Sequence, residues 1–432
     1  MSRRRRFLVD FDRLNHILIP TSKVDRDRFR SSRVAKISRP LVRIYDALTD
    51  EGRFLFVVTL VVGGFGLDVR RTDVHVLWSV LGALVLASLV VSRLFRPDGV
   101  RVEVVAPRRV TVGEPITFTL VCTNDTLRPR YGLRVRGPFL PWDGRWVTPR
   151  PTLAELPASG TGRAEVSARF SHRGEHHLDP FHAALLVPLG FAVGPSIDSS
   201  GCRFLVVPRI ANVVRVSTPL GRRHQPGGVA LASKTGESMD LLGVRPYRPG
   251  DPVRDLHARS WARTGEPVVR EYQEEYFSRI GVILDTDRAV TDPERLEAAL
   301  SLAAGIVNNL SRGEALIDLL VVGNDVHSLT LGRSLGFLDQ ALDLLACVEA
   351  GPAPLPEALL GRLAPHLPRL SCVVLVALVW DEPRRALAER IRGFGVGCTT
   401  VLVTGEGEQA PGDRDLRAVA SDAILRGEAL SL

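Results

Sequence analysis

Hydrophobic and polar positions fall into three successive patterns along the 432 residues. The first is a pair of apolar runs, FLFVVTLVVGGFGL from Phe54 to Leu67 and VHVLWSVLGALVLASLVVS from Val74 to Ser92, separated only by DVRRTD. The second run has the roughly 20 residues that a helix needs to cross a bilayer. The first is short and spans only by thinning the bilayer or by packing against its neighbour. A buried hairpin of core helices is the alternative for the pair. From about residue 98 to 215 the period drops to two. VRVEVVAPRRVTVGEPITFTLVCTN, GRAEVSARFSH, HHLDPFHAALLVP and CRFLVVPRI alternate between apolar and polar positions and are bounded by Gly, Pro, Asp or Ser. Short strands at this spacing predict a β-sandwich, Ig-like in the broad sense.

The third pattern, from 279 onward, alternates strands with helices. RIGVILD predicts a buried strand ending at Asp285, followed by a helix with a capping box, Thr291 with Glu294, Pro293 in its first turn and Gly313 past its end. ALIDLLVVG and VHSLTLG follow as strands, then a helix over SLGFLDQALDLLACVEA and a short one from Glu357. SCVVLVALVW reads as a strand buried on both faces of a parallel sheet. DEPRRALAERIRGFG predicts a helix, VGCTTVLVTG a last strand and DRDLRAVASDAILRG a closing helix. The sum is an open, Rossmann-like α/β sheet. The organisation expected is therefore a basic region 1–53, a transmembrane hairpin 54–95, an all-β domain 98–215, a linker 216–240, an Arg-rich segment 241–278 and an α/β domain 279–432.

Charge changes the picture in one place. The net charge is +8, but residues 1–53 hold 14 Lys/Arg against 7 Asp/Glu, so almost all of the excess is N-terminal. With Arg43 and Arg53 before the hairpin and Arg93, Arg96 and Arg101 after it, the positive-inside rule puts both ends in the cytoplasm. The soluble parts are therefore expected on the cytoplasmic side of the membrane. A cleaved signal peptide is not expected, because the apolar segment starts more than fifty residues in. The basic region lacks aromatic interleaving and any nucleic-acid motif, so membrane lipid rather than nucleic acid is its expected partner. Five scattered cysteines show no zinc or redox spacing, and Cys372 and Cys398 read as small buried hydrophobes. His172 with His176 and His177 forms a weak metal-ligand pattern with no second cluster to complete it.

The densest chemistry is RPYRPGDPVRDLHARSWARTGEPVVREY, residues 245–272, with six arginines and four acids. Asp251 as N-cap, Pro252 after it and Gly265 at the end predict one short helix. This stretch resembles the signature of the bacterial family called domain of unknown function 58, through Arg245, Tyr247, Gly250, Asp251, Arg254, Leu256, His257, Ala262, Arg263 and Glu271. The hairpin, the β domain with its His172-Arg173-Gly174 turn and the α/β domain are also similar to that family, over about residues 50 to 432. The resemblance implies a von Willebrand factor A-like fold for the α/β domain and association with a MoxR-type AAA+ ATPase that assembles or activates a client complex. One departure is Ala258 where the family keeps Trp, with Trp261 three places on. Residues three apart share a helix face, so the indole is expected to fill the same pocket. The other departure concerns Mg²⁺, which such domains often bind. The loop DTDRA keeps Asp285, offers Asp287 and then Ala289, and Asp381 stands for a later ligand. It reads as a degenerate, metal-free site, with Mg²⁺ on those three carboxylates as the alternative.

Three functions stay open. The favoured one is a non-enzymatic, membrane-anchored interaction factor whose signature (Arg245, Tyr247, Gly250, Asp251, Arg254, His257, Trp261, Arg263, Glu271) forms a partner surface. An equal reading makes the same arginines an internal lattice, with Arg245, Arg254 and Arg263 paired to Asp251, Asp255 and Glu271 to lock two domains. The rival class is a hydrolase using Asp251, His257 and Glu271 with Ser260 as nucleophile, although no nucleophile elbow surrounds that serine. A lipid- or nucleic-acid-binding role through the basic tail is the third.

Overall fold

Polar backbone at the start of a helix has to find partners, and in this chain it finds them in a β-sheet loop. The computed structural model describes residues 44–65, 72–148, 151–217, 241–272, 279–286, 292–312, 316–322, 326–331, 336–351, 361, 363–405, 407–408, 411–412 and 416–432. Residues 1–43, most of the 216–240 linker, Asp287, Thr291, Gly313 and the helix expected from Glu357 lie outside them. The chain divides into two units, Met1–Val207 and Pro208–Leu432.

In the first unit, α1 (Asp50–Phe65) and α2 (Thr72–Ser92) take up the apolar runs. Among the described residues α2 is the helix long and apolar enough to cross a membrane, over Asp73–Ser92. Helix α1 starts before its apolar run because Thr49 caps it. The Gly52 amide donates to Thr49 Oγ1 at 3.0 Å, and Asp50 and Glu51 place negative charge in the first turn. The same threonine ties the helix to the loop 186–194. Its amide donates to the Phe191 carbonyl at 3.1 Å and its hydroxyl to the Gly190 carbonyl at 2.7 Å. Leu48 bridges Ala192, and the Val193 amide donates to the Ala47 carbonyl at 2.8 Å. Two glycines permit the approach. A Cβ on Gly52 would collide with the Phe191 carbonyl, and one on Gly194 with the Phe95 carbonyl, just past α2. Residues 44–53, expected as the end of a basic tail, are thus built into the β domain, with Asp46 paired to Arg136 at 2.7 Å and Glu51 to Arg134 at 3.6 Å.

The strands are β1 (Val100–Val105), β2 (Arg109–Thr111), β3 (Pro115–Asn124), β4 (Arg130–Arg136), β5 (Gly144–Trp146), β6 (Thr152–Leu156), β7 (Thr161–Phe170), β8 (Gly174–Leu178), β9 (His182–Leu185), β10 (Ile197–Asp198) and β11 (Cys202–Val207). They form antiparallel sheets β1-β3-β7-β5 and β10-β9-β4-β6, with β2-β11-β8 as a third. Alternation decides which side chains go inward. In β3 these are Ile116, Phe118, Leu120 and Cys122, and in β7 Ala164, Val166, Ala168 and Phe170, with Phe118 opposite Val166 and Leu120 opposite Ala164. They share one core with Leu133, Leu156, Phe181 and Phe204, and Phe118 meets Phe204 edge-on at 5.5 Å.

The second unit begins at Pro208, so the β domain ends earlier than the expected 215. Strand β12 (Val213–Arg215) pairs in parallel with the C-terminal β21 (Leu430–Ser431). Next come β13 (Leu241–Pro246), α3 (Ala258–Thr264), β14 (Val268–Tyr272), β15 (Arg279–Asp285), α4 (Pro293–Leu310), β16 (Leu316–Val322), β17 (Val326–Leu331), α5 (Gly336–Ala346), β18 (Cys372–Ala377), α6 (Glu382–Gly393), β19 (Gly397–Thr404), β20 (Leu416–Ala420) and α7 (Ser421–Arg426). The main sheet runs β17-β16-β15-β18-β19-β20, parallel except for the edge strand β17. Every residue of β18 is buried, as its apolar run implies. The cap of α4 is Asp292, whose carboxylate accepts the Glu294 amide at 3.1 Å, rather than the expected Thr291. The expected closing helix is half strand: Leu416–Ala420 adds to the sheet as β20, and helix begins only at Ser421.

Substituting Gly194→Ala drives a methyl into the Phe95 carbonyl, and overpacking of this kind costs about 1–3 kcal/mol. Thermal denaturation of the detergent-solubilised chain should show the loss, whereas Gly64→Ala, with no neighbour within 4 Å, should leave the melting temperature unchanged or slightly raised.

Candidate functional site

The Arg-rich segment folds as a two-stranded ribbon with a helical excursion between its strands. Strands β13 and β14 pair antiparallel, Arg245 facing Val269. The excursion is not the single helix expected from Asp251 and Pro252. A 3-10 turn over Val253–Asp255 comes first, Leu256 then extends to bridge Val269, and the His257 amide donates to the Val268 carbonyl at 2.8 Å. That strand contact breaks the helix, and α3 starts afresh at Ala258 and closes at the left-handed Gly265.

Asp251 is freed from capping for another task. Arg245 grips it with both guanidinium nitrogens, at 2.7 and 2.9 Å, and the Arg248 amide donates to it at 2.8 Å. These bonds hold its carboxyl down at about 2. Gly250 precedes it at φ +106°, a backbone open to glycine. Arg245, Gly250 and Asp251 therefore form one local turn, with Tyr247 half-buried beside it, its amide donating to the Pro267 carbonyl at 2.8 Å. Two pairs of the expected lattice take this short-range form: among the described residues Arg254 reaches its neighbour Asp255, at 3.8 Å, with its own side chain 87% exposed. Arg259 and Arg263 point to solvent. Strand β14 places the backbone of Glu271, whose side chain lies outside the described residues. Trp261 fills no pocket; it is 43% exposed on α3, because the break at Leu256 shortens the helix and turns that face outward. His257 Nδ1 and Ser260 Oγ lie 2.7 Å apart, the one contact a hydrolase reading would use. Of the two acids assigned to it, Asp251 is committed to Arg245 and the side chain of Glu271 lies outside the described residues.

A second cluster sits at the carboxyl ends of β15 and β18. Strand β16 lies on one side of β15 and β19 on the far side of β18, so the connections diverge here and make the switch point where open α/β sheets place ligands. Asp285 ends β15 and Asp381 caps α6, its carboxylate accepting the Arg384 amide at 3.2 Å. Arg384 spans the gap, with Nε 2.6 Å from Asp285 and Nη1 2.6 Å from Asp381. The guanidinium is almost buried. Beside it Arg295 donates to the Leu378 carbonyl at 3.1 Å and pairs with Glu408. A divalent cation does not fit this donor set: a guanidinium already bonds both carboxylates, and among the described residues no three His, Cys, Asp or Glu are grouped to hold a metal. Asp287 lies outside those residues.

Sequence reasoning passed over Arg384, although its place three residues after a capping Asp is a legible ion-pair spacing. It also missed Arg279 on Asp318, at 2.6 and 2.9 Å. An Asp inside the apolar LIDLLVV was the signal. In the β domain the histidines go separate ways. His172 meets Trp142 at a tilt, ring centroids 4.2 Å apart, while His176 turns inward to Asp143 at 2.9 Å and to the Gly174 carbonyl at 3.0 Å. Burial alone would lower the His176 pKa, but the Asp143 and Gly174 hydrogen bonds outweigh it and raise it. Cys372 and Cys398 are buried in the sheet, and burial pushes Cys122 and Cys202 up to about 11.

No protein-family model and no curated protein matches the chain. Solved structures give remote likenesses. Native alpha-2-macroglobulin from Escherichia coli, from domain MG7 to the C-terminus, is 22% identical over 26% of this chain and 17% of that one, with a TM-score of 0.20. Proximal thread matrix protein 1 from the mussel byssus is 11% identical over 35% and 46%, with a TM-score of 0.27. The CARDB domain of the PF1109 protein from Pyrococcus furiosus is 14% identical over 24% and 93%, with a TM-score of 0.15. At these scores the likenesses carry no argument, and function rests on the chemistry above.

Arg384→Ala removes a nearly buried guanidinium that bonds two carboxylates, a loss of about 3–5 kcal/mol for a broken buried pair. Denaturant unfolding should show it, and millimolar Mg²⁺ should leave the wild-type melting temperature unchanged. For His176 the folded pKa lies above the ordinary 6.5. Its contribution is full below that value and is lost as pH rises through the folded pKa. Melting temperature should fall over that window, and His176→Gln should flatten the slope.

Proposed function

We propose that the protein is a membrane-anchored interaction factor without enzymatic activity of its own. Helix α2 and its partner α1 anchor it in the bacterial inner membrane with both soluble units on the cytoplasmic side. The β-rich part of the first unit is read as an Ig-like sandwich and the six-stranded sheet as a von Willebrand factor A-like domain. The resemblance to the domain of unknown function 58 family makes a MoxR-type AAA+ ATPase the expected partner, acting on a client complex.

The observation that carries this reading is the division of labour inside residues 245–272. Arg245, Gly250 and Asp251 are consumed in building the turn, while Arg254, Arg259 and Arg263 project with a half-exposed Trp261. An exposed indole among always-charged guanidinium forks has the composition of a binding hot spot for an acidic partner. The hydrolytic alternative rests on the His257–Ser260 contact alone, and Ser260→Ala tests it directly.

Full-length protein purified from membranes should bring down the MoxR-type ATPase, and Trp261→Ala with Arg259→Glu and Arg263→Glu should cut recovery at least tenfold, since one hot-spot residue is worth about 2 kcal/mol or more. Undiminished recovery by that variant removes the signature as the partner surface. Absence of the ATPase from the wild-type sample removes the partner.

A further inference from the structure

We propose that the end of the β domain from which the helices emerge is itself a membrane-contact surface for anionic lipid headgroups, a collar around the base of the hairpin. The inference rests on the anchor reading of α1 and α2 and adds a second point of lipid contact to it.

Three loops meet at that end. Residues 93–99 leave α2, and Gly194 of the loop 186–194 lies against the Phe95 carbonyl. The Asp125 amide donates to the Gly99 carbonyl at 2.8 Å and Arg130 donates to the Asp98 carbonyl at 3.0 Å, so the β3–β4 loop joins them. Buried Asn124 holds that loop rigid: its amide nitrogen donates to the Arg128 and Pro157 carbonyls at 2.9 Å, and its oxygen accepts the Thr126 amide at 3.1 Å. Each loop carries one protruding leucine: Leu94 is 80% exposed, Leu127 89% and Leu189 71%.

Single exposed leucines are ordinary. Three on adjoining loops, all at the end continuous with the exposed apolar faces of α1 and α2, are not. Leu189 adds a second sign, for its φ of +73° is a left-handed backbone that a turn in water gives to Gly or Asn. It follows Pro188 and precedes Gly190, whose carbonyl is held by Thr49. From Thr49 to the first apolar residue of α1, Phe54, the helix rises about 7 Å, which puts the leucine tips at headgroup depth. Exposed Arg93, Arg96 and Arg128 stand among them. Of the acids here, Asp98 is exposed and Asp125 is paired with Arg101 at 2.9 Å. Apolar tips ringed by arginine suit the interface of an anionic leaflet, where the tips enter the acyl boundary and the guanidinium groups meet phosphate.

The test places the photo-crosslinker p-benzoylphenylalanine, one site at a time, at Leu127, Leu189, Val57 and Glu165 of the full-length chain reconstituted in phosphatidylcholine vesicles with and without phosphatidylglycerol. Lipid adducts at positions 127 and 189, absent at 165 and severalfold stronger with phosphatidylglycerol, support the collar. In that background Arg93→Gln with Arg96→Gln and Arg128→Gln should abolish the dependence on anionic lipid. Adducts at 57 without any at 127 or 189 overturn the collar and leave the hairpin standing. Adducts at 127 and 189 without any at 57 remove the hairpin and with it the collar, which is defined by the hairpin's base. Adducts nowhere remove both.

Discussion

The first unit is organised by one threonine. A helix begins with backbone N–H groups that have no partner inside it, and an apolar helix has to settle them where it leaves the polar domain. Thr49 does this in both directions, accepting the Gly52 amide and donating to the Gly190 carbonyl, while its own amide is taken up by Phe191. Because the receiving carbonyls belong to a loop between strands, the helix cannot swing without breaking the β domain. Gly52 and Gly194 follow from that choice, since no side chain fits where backbone meets backbone. An anchor on a flexible tether would need none of these.

The second unit settles its charges with the same economy. Arg279 answers Asp318 at the start of a parallel strand pair, and Arg384 answers Asp285 and Asp381 across the switch point. A divalent ion would supply two charges and ask for six oxygens in near-octahedral array. A guanidinium supplies one charge and two planar bonds and needs no loop to complete its shell. With Arg384 in place, the two described carboxylates at the switch point are bonded by the chain itself. Charge that is answered inside the fold is not offered outside it, which turns attention to the signature ribbon, where the answered and unanswered groups can be told apart residue by residue.

The legible parts of the fold were those written in periodicity. Alternation in PITFTLVCTN and TGRAEVSARF, the unbroken CVVLVA and the apolar run ending at Ser92 each give their element and its buried face directly. What sequence reading got wrong was set by contacts between distant residues. The stretch from Asp251 to Thr264 has the composition of one helix, yet a bridge from Leu256 to Val269 is worth more to the backbone than one continued turn. Leu416–Ala420 reads as helix by composition but lies beside the open edge of β19, and an unpaired strand edge recruits whatever short segment passes it. At the candidate sites the identities of Asp285, Asp381, Arg245 and Asp251 were readable. The Arg245–Asp251 pair was readable too, because its spacing is local. Arg384, only three residues after Asp381, was passed over, and its reach to the distant Asp285 left no trace in the sequence. Gly52 and Gly194 were invisible, because a glycine does not announce the carbonyl that approaches it.

The distribution of unanswered groups narrows what the molecule can do. Outside residues 1–53 the chain is nearly neutral, so an electrostatic role has to come from local excess rather than overall charge. Two such excesses emerge. One is the α3 face, where exposed Arg259 and Arg263 flank an indole on a ribbon whose Arg245 and Asp251 are paired to each other. The other is the helix end of the β domain, where arginines surround leucines on loops fixed by Asn124 and Thr49. Both combine an apolar tip with guanidinium groups, but their supports differ. The ribbon rests on a seven-residue helix with no fully buried residue of its own, and such an element yields to a partner at low cost. The helix end is rigid through backbone hydrogen bonds and can only accept a surface that conforms to it. A fluid lipid interface conforms, whereas a folded partner does so only by matching shape. The yielding surface therefore suits recognition of a protein, and the rigid one suits the membrane.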